Sequence, residues 1–147
     1  MPALCEGCRI AAMSLIDRIR PVLQGAPDVR LAVVFGSAAR QTEGRDSDLD
    51  VGVSFAEGAG QAAPALAVAL ERAAGRRVDL VLLDNAPPLL RFEIARSGLV
   101  LVERAPRAWA GFRSRAMIDW WDWAPTARMM HRVMAEKLRE EAARGST

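Results

Sequence analysis

Two apolar segments joined by a short polar loop constrain the fold of this chain more than any other feature of its sequence. Residues 31–35 form a continuous apolar run, and in residues 49–53 apolar side chains alternate with Asp or Gly. The first pattern predicts a buried strand and the second a half-buried strand. A Gly-Ser pair ends the first strand, and ten residues later an Asp-x-Asp motif begins the second. The sequence therefore places both motifs at the ends of strands.

The Gly-Ser pair, Gly36 and Ser37, and the two acids, Asp48 and Asp50, are residue types that bind a metal–nucleotide complex. Side chains two residues apart on a strand project from the same face, roughly 6.5 to 7 Å apart at the backbone, so the two carboxylates can share a ligand. Mg²⁺ prefers hard oxygen ligands and is usually held by one or two carboxylates together with substrate phosphates. A glycine lets the backbone approach a phosphate, and turn amides beside a small hydroxyl can cradle it.

A third acid, Asp79, lies in residues 78–83, a nearly continuous apolar run typical of a central strand. With it, the chain resembles the nucleotidyltransferases of the polymerase-beta-like superfamily, and among them the minimal nucleotidyltransferases. Their pattern is Gly-Ser, ten residues, Asp-x-Asp and a carboxylate on a later strand. The resemblance covers about residues 29–103 and implies an α/β nucleotidyltransferase fold, with a small mixed sheet of about four strands packed with helices. Taken alone, Asp79 could also be a salt-bridged residue of an edge strand.

The resemblance implies a role for each residue of the motif. Asp48, Asp50 and Asp79 would bind two Mg²⁺ ions, and Asp79 would also help to deprotonate an acceptor hydroxyl. Gly36 and Ser37 would bind the nucleotide phosphates. These roles predict attack on the α-phosphate of a nucleoside triphosphate, with pyrophosphate as the leaving group.

Arg40 follows the Gly-Ser pair by three residues and would lie beside the phosphate site on a short helix. The family commonly has an arginine there, and a guanidinium can clamp phosphate oxygens. The alternative is an arginine on the solvent-exposed side of a helix.

By the same resemblance, a stand-alone member of this length is an antitoxin of a two-gene system. Such proteins transfer AMP from ATP to a tyrosine of a HEPN-domain toxin RNase and silence it, so ATP and the toxin are the predicted substrate and partner. Two alternatives remain: small-molecule transfer of the aminoglycoside type, and a binding module that neutralises a toxin by contact alone. A neighbouring gene for a short helical RNase would favour the antitoxin.

Length and composition are those of one domain and argue against several other classes. The chain has 147 residues, a formal net charge of +2 and nineteen Arg against one Lys. Because no basic run is interleaved with aromatic residues, direct nucleic-acid binding is not expected. No apolar segment reaches the roughly 18 residues of a membrane-spanning helix, which predicts a cytoplasmic protein. The sequence does not determine the oligomeric state, and a homo-oligomer is one of the alternatives.

The first dozen residues are predicted to be a disordered extension, followed by a single nucleotidyltransferase domain in residues 13–147. Cys5 and Cys8 form one Cys-x-x-Cys pair. A tetrahedral zinc site needs four ligands, and the single histidine, His131, is distant in sequence. We therefore predict no zinc site at this pair.

The C-terminal tail, from about residue 106, is predicted to be helical, with an interruption near Pro125. Trp120, Trp121 and Trp123 cannot all lie on one face of a helix, because adjacent positions are about 100° apart. At least one of them is expected to be exposed. The other predicted elements are helices at about 13–24, 62–74 and 85–97 and strands at about 30–36, 49–53, 78–83 and 99–102.

Overall fold

The computed structural model describes residues 6–39 and 47–145, with the backbone alone for residues 6–14. None of the helices in these ranges is both long and apolar enough to cross a membrane. The elements are α1 (Glu6–Gln24), β1 (Val29–Phe35), β2 (Leu49–Phe55), α2 (Ala63–Ala74), β3 (Val78–Leu82), α3 (Pro88–Ser97), β4 (Leu99–Glu103) and α4 (Ala108–Arg144).

The four strands form one mixed sheet in the order β3-β2-β1-β4. β1 pairs antiparallel with β2 and with β4, while β2 pairs parallel with β3. A parallel pair needs a long crossover connection, and the segment that contains α2 provides it between β2 and β3. The predicted α/β fold with a mixed sheet of about four strands is confirmed.

Apolar side chains cover both faces of the sheet and form two cores. In β2, Leu49, Val51 and Val53 are fully buried on the face covered by α1 and α2. A side chain at Gly52 would instead meet Leu83 of the opposite core. The alternation predicted for this strand is therefore observed. The intervening positions, including that of Asp50, lie on the face covered by α3 and α4.

β3 lies at the edge of the sheet, so the expectation of a central strand was wrong. Val78, Leu80 and Leu82 pack on the core of α1 and α2. Val81 packs on the opposite core. Apart from the exposed Asp79, the side chains of this edge strand therefore pack on apolar cores on both faces, even without a second neighbouring strand.

α1 begins at Glu6, seven residues before the start predicted at residue 13. The predicted disordered extension, residues 1–12, therefore overlaps a helix from residue 6 onward, while residues 1–5 lie outside the described ranges. The overlapping segment contains no proline and includes good helix formers such as Arg9, Ala11 and Ala12.

α4 is one continuous 37-residue helix, whereas the sequence predicted an interruption near Pro125. A proline inside a helix cannot donate a hydrogen bond to the carbonyl four residues earlier, here that of Trp121. Ala124 and Ala127, on either side of the proline, are buried. The helix therefore continues through the proline in a segment whose small side chains are buried.

Candidate active site

Gly36 follows β1 with a φ of 72°, a left-handed conformation that other residues rarely adopt. A Cβ atom built at this position would lie 2.3 Å from Oδ2 of Asp50. The main chain therefore passes the Asp50 carboxylate at a distance that only glycine allows. This contact brings the Gly-Ser turn and the Asp-x-Asp motif together.

Asp50 occupies the middle of the site because β2 lies between β1 and β3. Its Cα is paired with that of Phe35 on β1 and with that of Asp79 on β3. Paired residues of neighbouring strands project from the same face, so Asp50 and Asp79 share a face. Asp48 precedes Asp50 by two residues, which is the spacing that repeats a face in extended chain. Asp48 and Asp79 are exposed, and Asp50 is half-buried.

Burial and two neighbouring charges change the titration of Asp50. Partial burial, followed by the charges of Asp79 and Asp48, raises the pKa of the Asp50 carboxyl above its ordinary value. Within the described ranges, the structure gives none of these three carboxylates an ion pair with a basic side chain. A divalent cation would supply the opposite charge that the described side chains do not.

The donor chemistry of the three acids fits Mg²⁺, although they are not gathered into a closed set of ligands. Among the residues that the structure describes, no three His, Cys, Asp or Glu side chains are placed to hold one metal ion. Mg²⁺ usually takes only one or two carboxylates from a protein and keeps water and phosphate oxygens as its other ligands. One or two of these carboxylates therefore fit a Mg²⁺ ion whose other ligands are phosphate oxygens and water.

The two remaining predicted site residues differ in what the structure shows of them. Ser37 is half-buried in the turn directly after Gly36. Arg40 lies in residues 40–46, outside the described ranges. Its predicted contact with phosphate stays a prediction.

The turn between α2 and β3 contacts the acid-bearing strand, and the sequence analysis missed it. Nη1 of Arg76 donates a hydrogen bond to the carbonyl oxygen of Ser47 at 3.5 Å. The amide of Leu49 donates to the carbonyl oxygen of Arg77 at 2.9 Å. The available signal was a Gly-Arg-Arg triplet directly before β3, the strand that bears the third acid, Asp79.

The tryptophan cluster of α4 is divided between packing and exposure. Trp120 stacks on Phe92 of α3 with ring centroids 5.2 Å apart, and Trp123 lies 5.9 Å from Trp120. Trp121 is 73% exposed. The expectation of at least one exposed tryptophan is confirmed, and Trp121 is the most exposed of the three.

The sequence matches a known family over more than half of its length. The model of the family described as "Polymerase beta, Nucleotidyltransferase" matches residues 17–107. That range contains every predicted site residue and ends just before α4. No curated protein matches the chain significantly.

Some solved structures with a similar fold are toxin–antitoxin complexes. One, a toxin–antitoxin with AMP-PNP, has a TM-score of 0.69 at 26% identity, and the match covers 81% of this chain and 98% of that one. A second, a tri-AMPylated Shewanella oneidensis HEPN toxin in complex with an MNT antitoxin, has a TM-score of 0.66 at 23% identity, with 84% and 98% covered. At 23% identity, this second match is evidence for a shared fold alone.

A third solved structure is more similar in sequence over a shorter range. It is provisionally described as a minimal nucleotidyltransferase, with a TM-score of 0.54 at 37% identity, and the match covers 60% of this chain and 93% of that one. The three structures are each matched over nearly their whole length, whereas a part of this chain has no counterpart in them.

Proposed function

This chain belongs to the polymerase beta nucleotidyltransferase family, and from that premise we propose that it transfers AMP from ATP to a tyrosine hydroxyl of a HEPN-domain toxin RNase in the cytoplasm. By this reaction it would act as the antitoxin. The observation that carries the proposal is the close approach of Gly36 to Asp50, in register with Asp79. A phosphate-binding turn and a set of acids at one end of a sheet are what transfer of a nucleotidyl group needs.

Each residue of the site has a proposed part in the reaction. The backbone at Gly36 and the Ser37 hydroxyl hold triphosphate oxygens. Asp48, Asp50 and Asp79 would hold the Mg²⁺ that accompanies ATP, and Asp79 would also accept the proton of the attacking hydroxyl. Mg²⁺ bound there would stabilise the entering and leaving oxygens of the displacement.

The reaction is a displacement at the α-phosphorus of ATP. The hydroxyl oxygen of the acceptor forms a bond to this phosphorus, and the bond to the bridging oxygen of the pyrophosphate breaks. The products are an AMP ester of the acceptor and pyrophosphate, while the proton of the hydroxyl passes to Asp79. The chain itself contains no tyrosine, so it cannot be its own acceptor of this type.

The toxin–antitoxin structure with AMP-PNP supports both the nucleotide and the partner of this proposal, since it is similar to this chain at 26% identity over 81% of its residues. On this chain, Trp121 is the side chain best suited to a partner, because it is large, apolar and 73% exposed. Tryptophan is among the residues that contribute most to protein interfaces. We propose that Trp121 contacts the toxin.

A labelling experiment tests the proposal. The purified chain is incubated with Mg²⁺ and the HEPN-domain toxin, once with ATP labelled at the α-phosphate and once with ATP labelled at the γ-phosphate. We expect label on a toxin tyrosine from the α-position only. Aminoglycosides added in place of the toxin serve as competing acceptors. Label on an aminoglycoside but not on the toxin would show the small-molecule enzyme, and neutralisation of the toxin without any label would show a binding module.

A further inference from the structure

The turn of residues 75–78 is fixed to α2 at both of its ends. Gly75 ends α2 in a left-handed conformation with a φ of 69°, and its amide donates to the carbonyl oxygen of Glu71 at 2.9 Å. The side chain of Glu71 in turn accepts a hydrogen bond from the amide of Val78 at 3.3 Å. The turn is therefore held in place from the helix side and can act as a support for what it contacts.

What the turn contacts is the main chain on both sides of Asp48. The carbonyl of Ser47, directly before it, accepts a hydrogen bond from Nη1 of Arg76 at 3.5 Å. The amide of Leu49, directly after it, donates to the carbonyl of Arg77 at 2.9 Å. Asp48 itself precedes β2 and lies outside the regular ladder of the sheet. These two contacts therefore hold its backbone in place.

The two arginines of the turn contribute in different ways. Arg76 is half-buried and makes its contact through the guanidinium, whereas Arg77 is exposed and makes its contact through the main chain. Replacing the side chain of Arg77 leaves its carbonyl bond in place. Replacing the side chain of Arg76 removes the guanidinium bond to the Ser47 carbonyl.

We propose that Arg76 is a positioning residue, which fixes the Asp48 carboxylate for the metal–nucleotide complex by holding the Ser47 carbonyl. The inference deepens the proposed function and rests on it for the identity of the ligand. A guanidinium has several donors in a rigid plane, so it suits this bridge. Displacement of a ligand residue by about 1 Å can cost on the order of 100-fold in rate.

Three variants of the full chain test this role: Arg76→Ala, Arg76→Lys, and Arg77→Ala as the matched control with the same loss of charge. The first measurement is hydrogen exchange of the amides of residues 47–49 without nucleotide. We expect faster exchange in Arg76→Ala, partial protection in Arg76→Lys and no change in Arg77→Ala.

The second measurement is the affinity for ATP as a function of Mg²⁺ concentration. We expect Arg76→Ala to need about tenfold more Mg²⁺ for the same ATP affinity, with Arg76→Lys in between and Arg77→Ala unchanged. Equal effects of Arg76→Ala and Arg77→Ala would show a role of charge alone and overturn the proposal. So would unchanged exchange at residues 47–49 in Arg76→Ala. The exchange measurement needs neither ATP nor a toxin. It therefore tests the role of Arg76 even if the chain is found not to transfer AMP.

Discussion

The acid-bearing end of the sheet and the C-terminal half of α4 are both unfavourable surfaces in the isolated chain, for opposite reasons. At the sheet end, three carboxylates repel one another around a half-buried Asp50. On α4, five large apolar side chains beyond Ala127 are each more than half exposed: Met129, Met130, Val133, Met134 and Leu138. At the first surface, negatively charged carboxylates lie close together. At the second, apolar side chains are exposed to water.

The two regions also differ in how they are built. The sheet end depends on main-chain register, because strand pairing places Asp50 opposite both Phe35 and Asp79. The second half of α4 depends on its own helical hydrogen bonds, since Ala127 is the last buried residue of the helix. We therefore expect changes at the sheet end to alter chemistry, and changes along α4 to alter stability or partner binding.

The largest expected effect comes from removing an acid of the sheet end. Asp48→Ala and Asp50→Ala should each lower AMP transfer by about 1,000-fold or more, because a missing ligand leaves the triphosphate charge uncompensated. Transfer is measured with labelled ATP and the toxin, and folding by thermal unfolding. Asp122→Asn, an exposed acid of α4, is the control and should retain full activity. Normal transfer by both alanine variants would show that the sheet end is not the site.

The next largest effect is expected at the glycine turn. Gly36→Ala should lower transfer by about 100-fold and reduce the melting temperature, because the new Cβ would lie 2.3 Å from the Asp50 carboxylate. Gly58→Ala is a matched control, since Gly58 also has a positive φ of 79° but no atom within 4 Å of a built Cβ. We expect it to lose stability and keep its activity. Equal activity losses in the two variants would show that activity does not depend on the close approach of Gly36 to Asp50.

A smaller effect distinguishes two tryptophans of α4. Trp121→Ala should weaken toxin binding by about 1 to 3 kcal/mol and change stability little, because this side chain is mostly exposed. Trp120→Ala should instead lower the melting temperature, since Trp120 stacks on Phe92. Toxin affinity and thermal unfolding are measured for both. Unchanged toxin affinity in Trp121→Ala would place the docking surface elsewhere.

The smallest predicted effect concerns the pH dependence of stability. The raised pKa of Asp50 means that the folded chain holds its proton more tightly than the unfolded chain. The resulting stabilisation is full below the unfolded pKa and is lost as the pH rises through the folded pKa. At pH 7, without metal, Asp50→Asn should therefore raise the melting temperature, by about 1 to 3 °C because solvent screens a partly exposed group. The gain in melting temperature should become smaller at acidic pH. A gain that became larger at acidic pH would contradict the raised pKa of Asp50.

The sequence predicted the sheet end better than the rest of the fold because strand alternation is a local signal. The alternation of Leu49, Val51 and Val53 fixes the face on which Asp50 lies. The edge position of β3 and the continuity of α4 through Pro125 depend on packing between distant segments, which periodicity does not contain. The contact of Arg76 with Ser47 joins residues 29 positions apart. The Gly-Arg-Arg triplet was the local sequence feature that pointed to this turn.

The central claim is that the acids of the sheet end bind ATP through a divalent cation. The most direct measurement is calorimetric titration of ATP into the wild-type chain and Asp50→Asn, each with and without Mg²⁺. We expect the wild-type chain to bind ATP tightly only with Mg²⁺, and the variant to lose that dependence. Equal ATP affinity in all four titrations would contradict the claim.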